Sequence, residues 1–199
     1  MDYKTTIKNH VLEYFDDTHT YLVDGIIVPS ITQILKIKFG RKYDGVNPDT
    51  LQRAAVEGTR VHEAIEKYCQ TGEGSDLTEV RNFRFLQKQY GFEVEKNEAP
   101  VILFLDEEPV AAGRLDMVLL MDSKRGLADI KRTSALDKEY LAYQLNLYRI
   151  AYQQCYGEQI EFLRGIHVRG DVRKFVEIPI NEGMANGLVN EYLKGENHE

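Results

Sequence analysis

Asp116, Asp129 and Lys131 have the types and spacing of a hydrolytic metal site. Asp116 closes the run Gly113-Arg114-Leu115-Asp116, and Asp129 and Lys131 flank Ile130 in Leu127-Ala128-Asp129-Ile130-Lys131. Residues two apart on a strand share a face, so Asp129 and Lys131 point the same way. The segment Asp122-Ser123-Lys124-Arg125-Gly126 reads as a tight turn that folds one strand back on the other and brings Asp116 alongside Asp129. Two adjacent carboxylates repel unless a cation lies between them. Hard oxygen donors on a rigid scaffold suit Mg²⁺ or Mn²⁺, with the backbone carbonyl of Ile130 as a further ligand. Phosphodiester hydrolysis needs an activated water, and a bound metal lowers the pKa of water from about 15.7 to about 7. It also needs a positive group, here Lys131, to orient that water or donate to a phosphate oxygen. Taken alone, an Asp-x-Lys triple equally fits a surface ion pair on an edge strand.

Further residues fit the same chemistry. His62 lies in Gly58-Thr59-Arg60-Val61-His62-Glu63. A lone helical histidine is usually an ordinary core or surface residue. A glycine inside a helix, however, costs roughly 1 kcal/mol relative to alanine. Gly58 therefore wants a reason, such as close approach of the helix to a strand or a phosphate. His62 borders the apolar face and could reach a metal at the sheet edge. Gln144 and Tyr148 are four apart and share a helical face, either as a plain surface pair or as support for Lys131 or a DNA backbone. Glu98 ends the strand before the hairpin and could support a second metal or orient a basic group, with Glu95 as a competitor. Arg60, Arg132, Lys36, Lys38, Arg41 and Lys42, with Arg53, are candidates for phosphate contact, against ordinary solvated charge. Phe39, Tyr43 and Tyr21 either stack on bases or pack in the core.

These residues need elements to position them. Val11 to Val28 alternates around Asp24-Gly25 and reads as a hairpin. Ser30 can cap a short helix over Thr32–Ile37. Asn47 and Pro48 open a helix to Gln70, whose apolar face recurs at three- and four-residue steps and stops at Gly72. A helix over Thr78–Tyr90 closes at Gly91. Strands are expected at Phe92–Glu98, Val101–Leu105, Val110–Leu120 and Leu127–Lys131, the last apolar enough for the centre of a sheet. The longest helix, Leu136–Tyr156, ends at Gly157. Strands Ile160–Val168 and Lys174–Ile178 and a helix Asn181–Lys194 complete the chain. This order predicts an α/β (α+β) fold with a central mixed sheet flanked by helices.

The 199 residues allow one domain of moderate size, expected over 1–199 with 1–45 as an N-terminal hairpin and helix extension. The net charge of -7 argues against a passive nucleic-acid coat but not against a nuclease, because DNA contact needs only a local basic strip. No apolar run approaches the roughly 20 residues that span a bilayer. The opening residues carry no secretory pattern, so a cytoplasmic protein without membrane contact is expected. Cys69 and Cys155, far apart, give no disulfide framework, no zinc pattern and no iron–sulfur cluster.

In order, Gly58-x-x-x-His62, Glu98, Gly113-x-x-Asp116, Asp129-x-Lys131 and Gln144-x-x-x-Tyr148 resemble the RecB-like branch of the PD-(D/E)XK nuclease superfamily. The opening His19-x-Tyr21, Gly25 and Pro29-Ser30-Ile31-Thr32-Gln33-Ile34-Leu35 are similar to the N-terminal segments of phage-type and mitochondrial genome-maintenance exonucleases. The resemblance implies a restriction-endonuclease-like αβββαβ core, DNA as substrate and Mg²⁺ or Mn²⁺ as cofactor. It implies His62, Asp116 and Asp129 as metal ligands, Lys131 as the catalytic lysine, and Gln144 and Tyr148 as its support. Relatives that carry an iron–sulfur cluster hold it with four cysteines, which this chain does not have.

The expected activity is exonucleolytic degradation of DNA ends, single-stranded or frayed, in phage or bacterial recombination and repair. A structure-specific endonuclease, a non-catalytic binding module of the same fold and a hydrolase of small phosphoesters are the alternatives. No Gly-rich phosphate-binding loop marks a motor. A separate recombinase, helicase or single-strand-binding protein would then be the partner. Oligomeric state is open.

Overall fold

The computed structural model describes residues 2–42 and 44–196. Tyr43, one of the aromatic candidates, lies outside them. Two sheets and five helices form a mixed α+β fold. The first sheet is a four-stranded antiparallel meander, β1 (Tyr3–Ile7), β2 (His10–Phe15), β3 (Thr20–Val23) and β4 (Ile26–Val28), in that spatial order. The sequence predicts a hairpin from Val11; β1 extends it by pairing Ile7 with His10 and Tyr3 with Tyr14. Five helices follow or interleave: α1 (Ile31–Phe39), α2 (Pro48–Thr71), α3 (Thr78–Tyr90), α4 (Lys138–Tyr156) and α5 (Glu182–Glu196). The second sheet runs β5 (Glu93–Leu105), β6 (Glu108–Met121), β7 (Lys124–Lys131), β8 (Phe162–Arg169) and β9 (Val172–Ile178), neighbours in that order. Only the β7–β8 pair is parallel, with α4 as its crossover.

Local chemistry sets the element ends. Ser30 and Gln33 form a reciprocal capping box on α1, with Gln33 N–H to Ser30 Oγ at 3.1 Å and Ser30 N–H to Gln33 Oε1 at 2.6 Å. Asn47 accepts from Asp49 N–H at 2.8 Å to start α2. Gly72 ends α2 at φ +73°, a left-handed conformation that costs a glycine nothing. Asp122 and Ser123, at φ +51° and +62°, make the two-residue β6–β7 turn, whose backbone twist matches the strands it joins.

Each face of the second sheet covers a core. Val61 and Ile65 of α2 and Val80, Phe83 and Leu86 of α3 pack on Met117, Leu119, Ala128 and Ile130. On the other face α1, α4, α5 and the small sheet share one cluster with Leu115, Val118 and Leu127. The sheet is thus clamped between α2 and α4, the helices that carry His62 and Gln144/Tyr148.

Two expectations change. The segments at 92–98 and 101–105 are one strand, because Pro100 pairs across to Arg114 within β5. β5 is an edge strand, where a residue without an N–H is tolerated. Gly58 approaches no strand: a Cβ built there would meet nothing within 4 Å. Gly113 is the close approach instead. A Cβ there would lie 3.0 Å from Tyr148 Cε1, so glycine lets the Tyr148 ring lie against β6 three residues before Asp116.

A candidate metal centre at the fork of the sheet

The β6–β7 ladder runs from Met121↔Lys124 to Met117↔Ala128 and then stops. Beyond it β6 stays paired with β5, and β7 stays paired with β8 as far as Lys131↔His167. The sheet forks, and the acidic residues sit at the fork. The β5–β6 register, Asn97↔Met117 and Ala99↔Leu115, sets Glu98 opposite Asp116. One step past Met117↔Ala128, Asp116 faces Asp129, which in turn pairs with Gly165. Glu98, Asp116 and Asp129 therefore form one row across three strands. Where the ladder opens, a side chain takes over: Ile130 N–H donates to Asp116 Oδ2 at 2.7 Å.

His62 enters from α2. Its Nε2 lies 3.0 Å from the Ile130 carbonyl, and its Nδ1 lies 3.6 Å from Asp116 Oδ2. If Nε2 carries the proton and donates to Ile130, Nδ1 presents a lone pair towards Asp116. A second backbone contact that fixes the tautomer in this way is typical of a metal-binding histidine. The Ile130 carbonyl, expected as a ligand, also orients His62. His62, Glu98 and Asp116 each offer a ligand atom, all within 4.8 Å of one another, and so can hold a metal ion. Glu98 belongs to this triad. Glu95 is turned away in a bidentate pair with Arg125 at 2.5 and 2.6 Å.

Asp129 and Lys131 stand beside the triad. Lys131 Nζ is 2.7 Å from Asp129 Oδ2, an ion pair buried beside the triad. Burial pushes the Asp129 carboxyl up; Lys131 pulls it down and Asp116 pushes it further up. Burial alone would lower Lys131, but the Asp129 and Asp116 carboxylates outweigh it and hold the ammonium above its usual range. Burial, then Asp116, raises Glu98 to about 7, against Arg114 and His62.

Gln144 and Tyr148 are buried, not a surface pair. Burial raises the Tyr148 phenol, and Tyr21, Asp116 and Asp129 add to the rise. Gln144 Oε1 is buried without a hydrogen-bond partner.

A groove of about 1100 Å³ opens at His62, Ile130 and Lys131. Of the expected phosphate contacts, Lys42, Arg53 and Arg132 line it, joined by Arg169. Gly58 also lines it, so the absent side chain leaves groove space. Arg132 is tied to Glu79 at 3.1 Å and Glu57 at 3.6 Å, and Lys42 to Asp137 at 2.8 Å. Lys36, Lys38, Arg41 and Arg60 are not on the groove wall. Lys38 pairs with Glu139 at 3.2 Å, Arg60 lies 3.7 Å from Glu57, and Lys36 and Arg41 are exposed elsewhere. Phe39 packs on Tyr140 and Tyr143 and Tyr21 is buried, so neither is offered to a base.

Arg114 is a residue that the sequence reading quoted without giving it a role. Its Nε lies 2.5 Å from Glu98 Oε2, and its guanidinium stacks 5.9 and 5.7 Å from the Tyr3 and Tyr14 ring centroids. Its place two residues before Asp116, on the same strand face, was the available signal. The small sheet thus braces Arg114, and Arg114 braces Glu98, whose backbone sits at φ +48°. Arg114→Gln is expected to weaken Mn²⁺ binding about 10-fold or more, the usual scale for losing a group that orients a ligand. Arg114→Lys should recover part of it. Titration calorimetry reads both; unchanged affinity in Arg114→Gln contradicts the bracing role.

No family model matches the chain, and no curated protein does. Among solved structures, the crystal structure of SSO0001 is 15% identical, covers 85% of this chain and 77% of that chain, and superposes with a TM-score of 0.47. The function therefore rests on the geometry of the fork itself.

Proposed function

We propose that this chain is a Mg²⁺- or Mn²⁺-dependent deoxyribonuclease that degrades DNA from its ends, built on the restriction-endonuclease-like core that its motifs resemble. The observation that carries this reading is the convergence of His62, Glu98 and Asp116 with the Lys131–Asp129 pair at the mouth of a groove lined by Arg53, Arg132 and Arg169. The donor set, two carboxylates and one imidazole, suits a hard or borderline divalent ion. When bound, such an ion supplies Lewis acidity to a phosphoryl oxygen and a water of lowered pKa.

The chain's own residues do the rest. Arg53, Arg132 and Arg169 take phosphates along the groove and set the scissile bond over the fork. Lys131, kept as an ammonium by Asp129, donates to a phosphate oxygen or holds the attacking water, so its charge is present where negative charge develops. Gln144 Oε1, a buried acceptor without a partner in the free protein, and the Tyr148 phenol would take hydrogen bonds from the bound substrate or its water on the α4 side. Ile130 fixes both Asp116 and His62 through its own peptide groups.

The test uses 5′- and 3′-labelled linear single- and double-stranded DNA, with closed circles as controls. With Mg²⁺ or Mn²⁺ the linear substrates are expected to shorten from one end while circles persist, and chelation should stop the reaction. Cutting of closed circles would replace the end-directed reading with an endonuclease. Preferential hydrolysis of a small phosphodiester would replace DNA as the substrate. Intact DNA under every metal condition would overturn the proposal.

A further inference from the structure

We infer that the outer face of α3 is a second nucleic-acid contact, a basic platform that holds single-stranded DNA beyond the groove; this rests on the nuclease reading above. Arg81, Arg84 and Lys88 recur at three- and four-residue steps and are all exposed. They stand along one side of α3, about 10 Å from first to last at about 1.5 Å per residue. That length covers roughly three steps of a DNA strand at about 3.4 Å each.

Several cations of this acidic chain are held by carboxylates, among them Arg114, Arg125, Arg132, Arg149 and Lys131. Among the described cations with no carboxylate partner, Arg81, Arg84 and Lys88 share one side of α3, and Arg173 lies over Phe85 of the same helix. Arg81 bonds only neutral oxygens, the Asp76 carbonyl and Thr78 Oγ1, and Arg84 lies over the Tyr68 ring at 5.3 Å. Unneutralised charge gathered on one face of a protein with net charge -7 points to an anionic ligand.

The face also offers an aromatic. Phe85 is 44% exposed, and the Arg173 guanidinium lies 3.9 Å from its ring centroid. A flat cation on an exposed ring is a stacking platform of the kind that binds unpaired bases. With Tyr68 and Gln87, the cationic stripe encloses a concavity of about 440 Å³ between α2 and α3.

The platform is joined to the groove. Arg132, on the groove wall, bonds Glu79 at the start of α3. Arg169, also on the wall, and Arg173 flank the β8–β9 turn, and Asn82 of α3 donates to the Gly170 carbonyl in that turn at 2.6 Å. Phosphates leaving the groove past Arg169 meet Arg173 and then α3. Asp171 at the tip of the turn and Glu79 at the start of α3 are acidic groups beside this path.

The test is the salt dependence of binding of a labelled 30-nucleotide single strand, read by anisotropy in chelator, for the full chain and for R81A/R84A/K88A. For single strands the slope of log affinity against log salt is about -0.7 per phosphate contact, so the variant should lose about 2 units of slope. Its affinity near 0.1 M salt should drop roughly 10-fold or more. The charge-keeping variant R81K/R84K should retain the wild-type slope. A variant slope within 0.5 of wild type, with affinity within 2-fold, overturns the platform and leaves it to an acidic protein partner. Wild-type cleavage of labelled DNA under Mg²⁺ is scored alongside. Cleavage with an unchanged slope sinks the platform alone, and a lost slope without cleavage sinks the nuclease reading alone.

Discussion

Asp116→Asn should abolish DNA cleavage while leaving the protein folded, with a loss on the order of 10³-fold, the scale of removing one preorganised charge from a transition state. Asp116 does two jobs with one carboxylate. Oδ2 accepts Ile130 N–H where the ladder opens, and the group is also one of the three that can grip a cation. Asparagine keeps an oxygen for the backbone contact and loses the charge. In the metal-free protein the substitution removes repulsion, because Asp116 is a cause of the raised carboxyls at both Glu98 and Asp129. The melting temperature without metal should therefore hold or rise while Mn²⁺ binding and cleavage collapse together. Lys131→Ala should give a comparable loss of rate but keep Mn²⁺ affinity, since the ammonium repels a cation and does not bind it. A fall in stability that accounts for the Asp116→Asn loss would contradict this account.

Mn²⁺ affinity should rise about 30-fold between pH 5.5 and 8, the gain in the charged fraction of a carboxyl near 7. The groups that set this value are burial, then Asp116, Arg114, His62 and Glu66. The sign follows from linkage. Folding raises the Glu98 carboxyl, so the folded metal-free chain binds more protons than the unfolded one. Its contribution to stability is present below the ordinary carboxylate range and is lost as pH rises to about 7. A divalent ion acts in the opposite sense, because it needs the carboxylate that the proton occupies. Metal-free protein should lose stability towards pH 8, and Mn²⁺ should restore most there and least at pH 5.5. Melting curves with and without Mn²⁺ across this range check it. A stabilisation by Mn²⁺ that is the same at both ends would remove Glu98 from the site.

The helices were legible because their ends are written locally. Asn47, Gly72, Gly91 and Gly157 act within one turn, so no distant contact can move them. The β6–β7 hairpin and the pairing of Asp129 with Lys131 were legible for a similar reason, since alternation along an unbroken strand is a local rule. The choice between Glu95 and Glu98 was not. A register shift lies between Val94 and Lys96, and Glu98 itself sits at φ +48°, so alternation cannot be counted through the strand. The unity of β5 across Pro100 was not legible either, because a strand's place at the edge of a sheet is a property of the whole fold. Charge was the least legible feature. Lys38 and Arg132 read alike in sequence, yet Lys38 is held by Glu139 away from the groove and Arg132 lies on its wall. The basic stripe of α3 is visible in the sequence as spacing, but that its cations face neutral groups and not carboxylates is a property of the folded chain.

Anomalous diffraction from crystals soaked in Mn²⁺ puts the account at greatest risk. A single strong peak is expected in the gap between the strands that part after Met117, bonded to the His62 imidazole and to the carboxylates of Glu98 and Asp116, with the Lys131 amine close by but not bonded. Manganese found only elsewhere on the surface, with that gap closed by direct hydrogen bonds among the acids, would leave the protein without a hydrolytic centre.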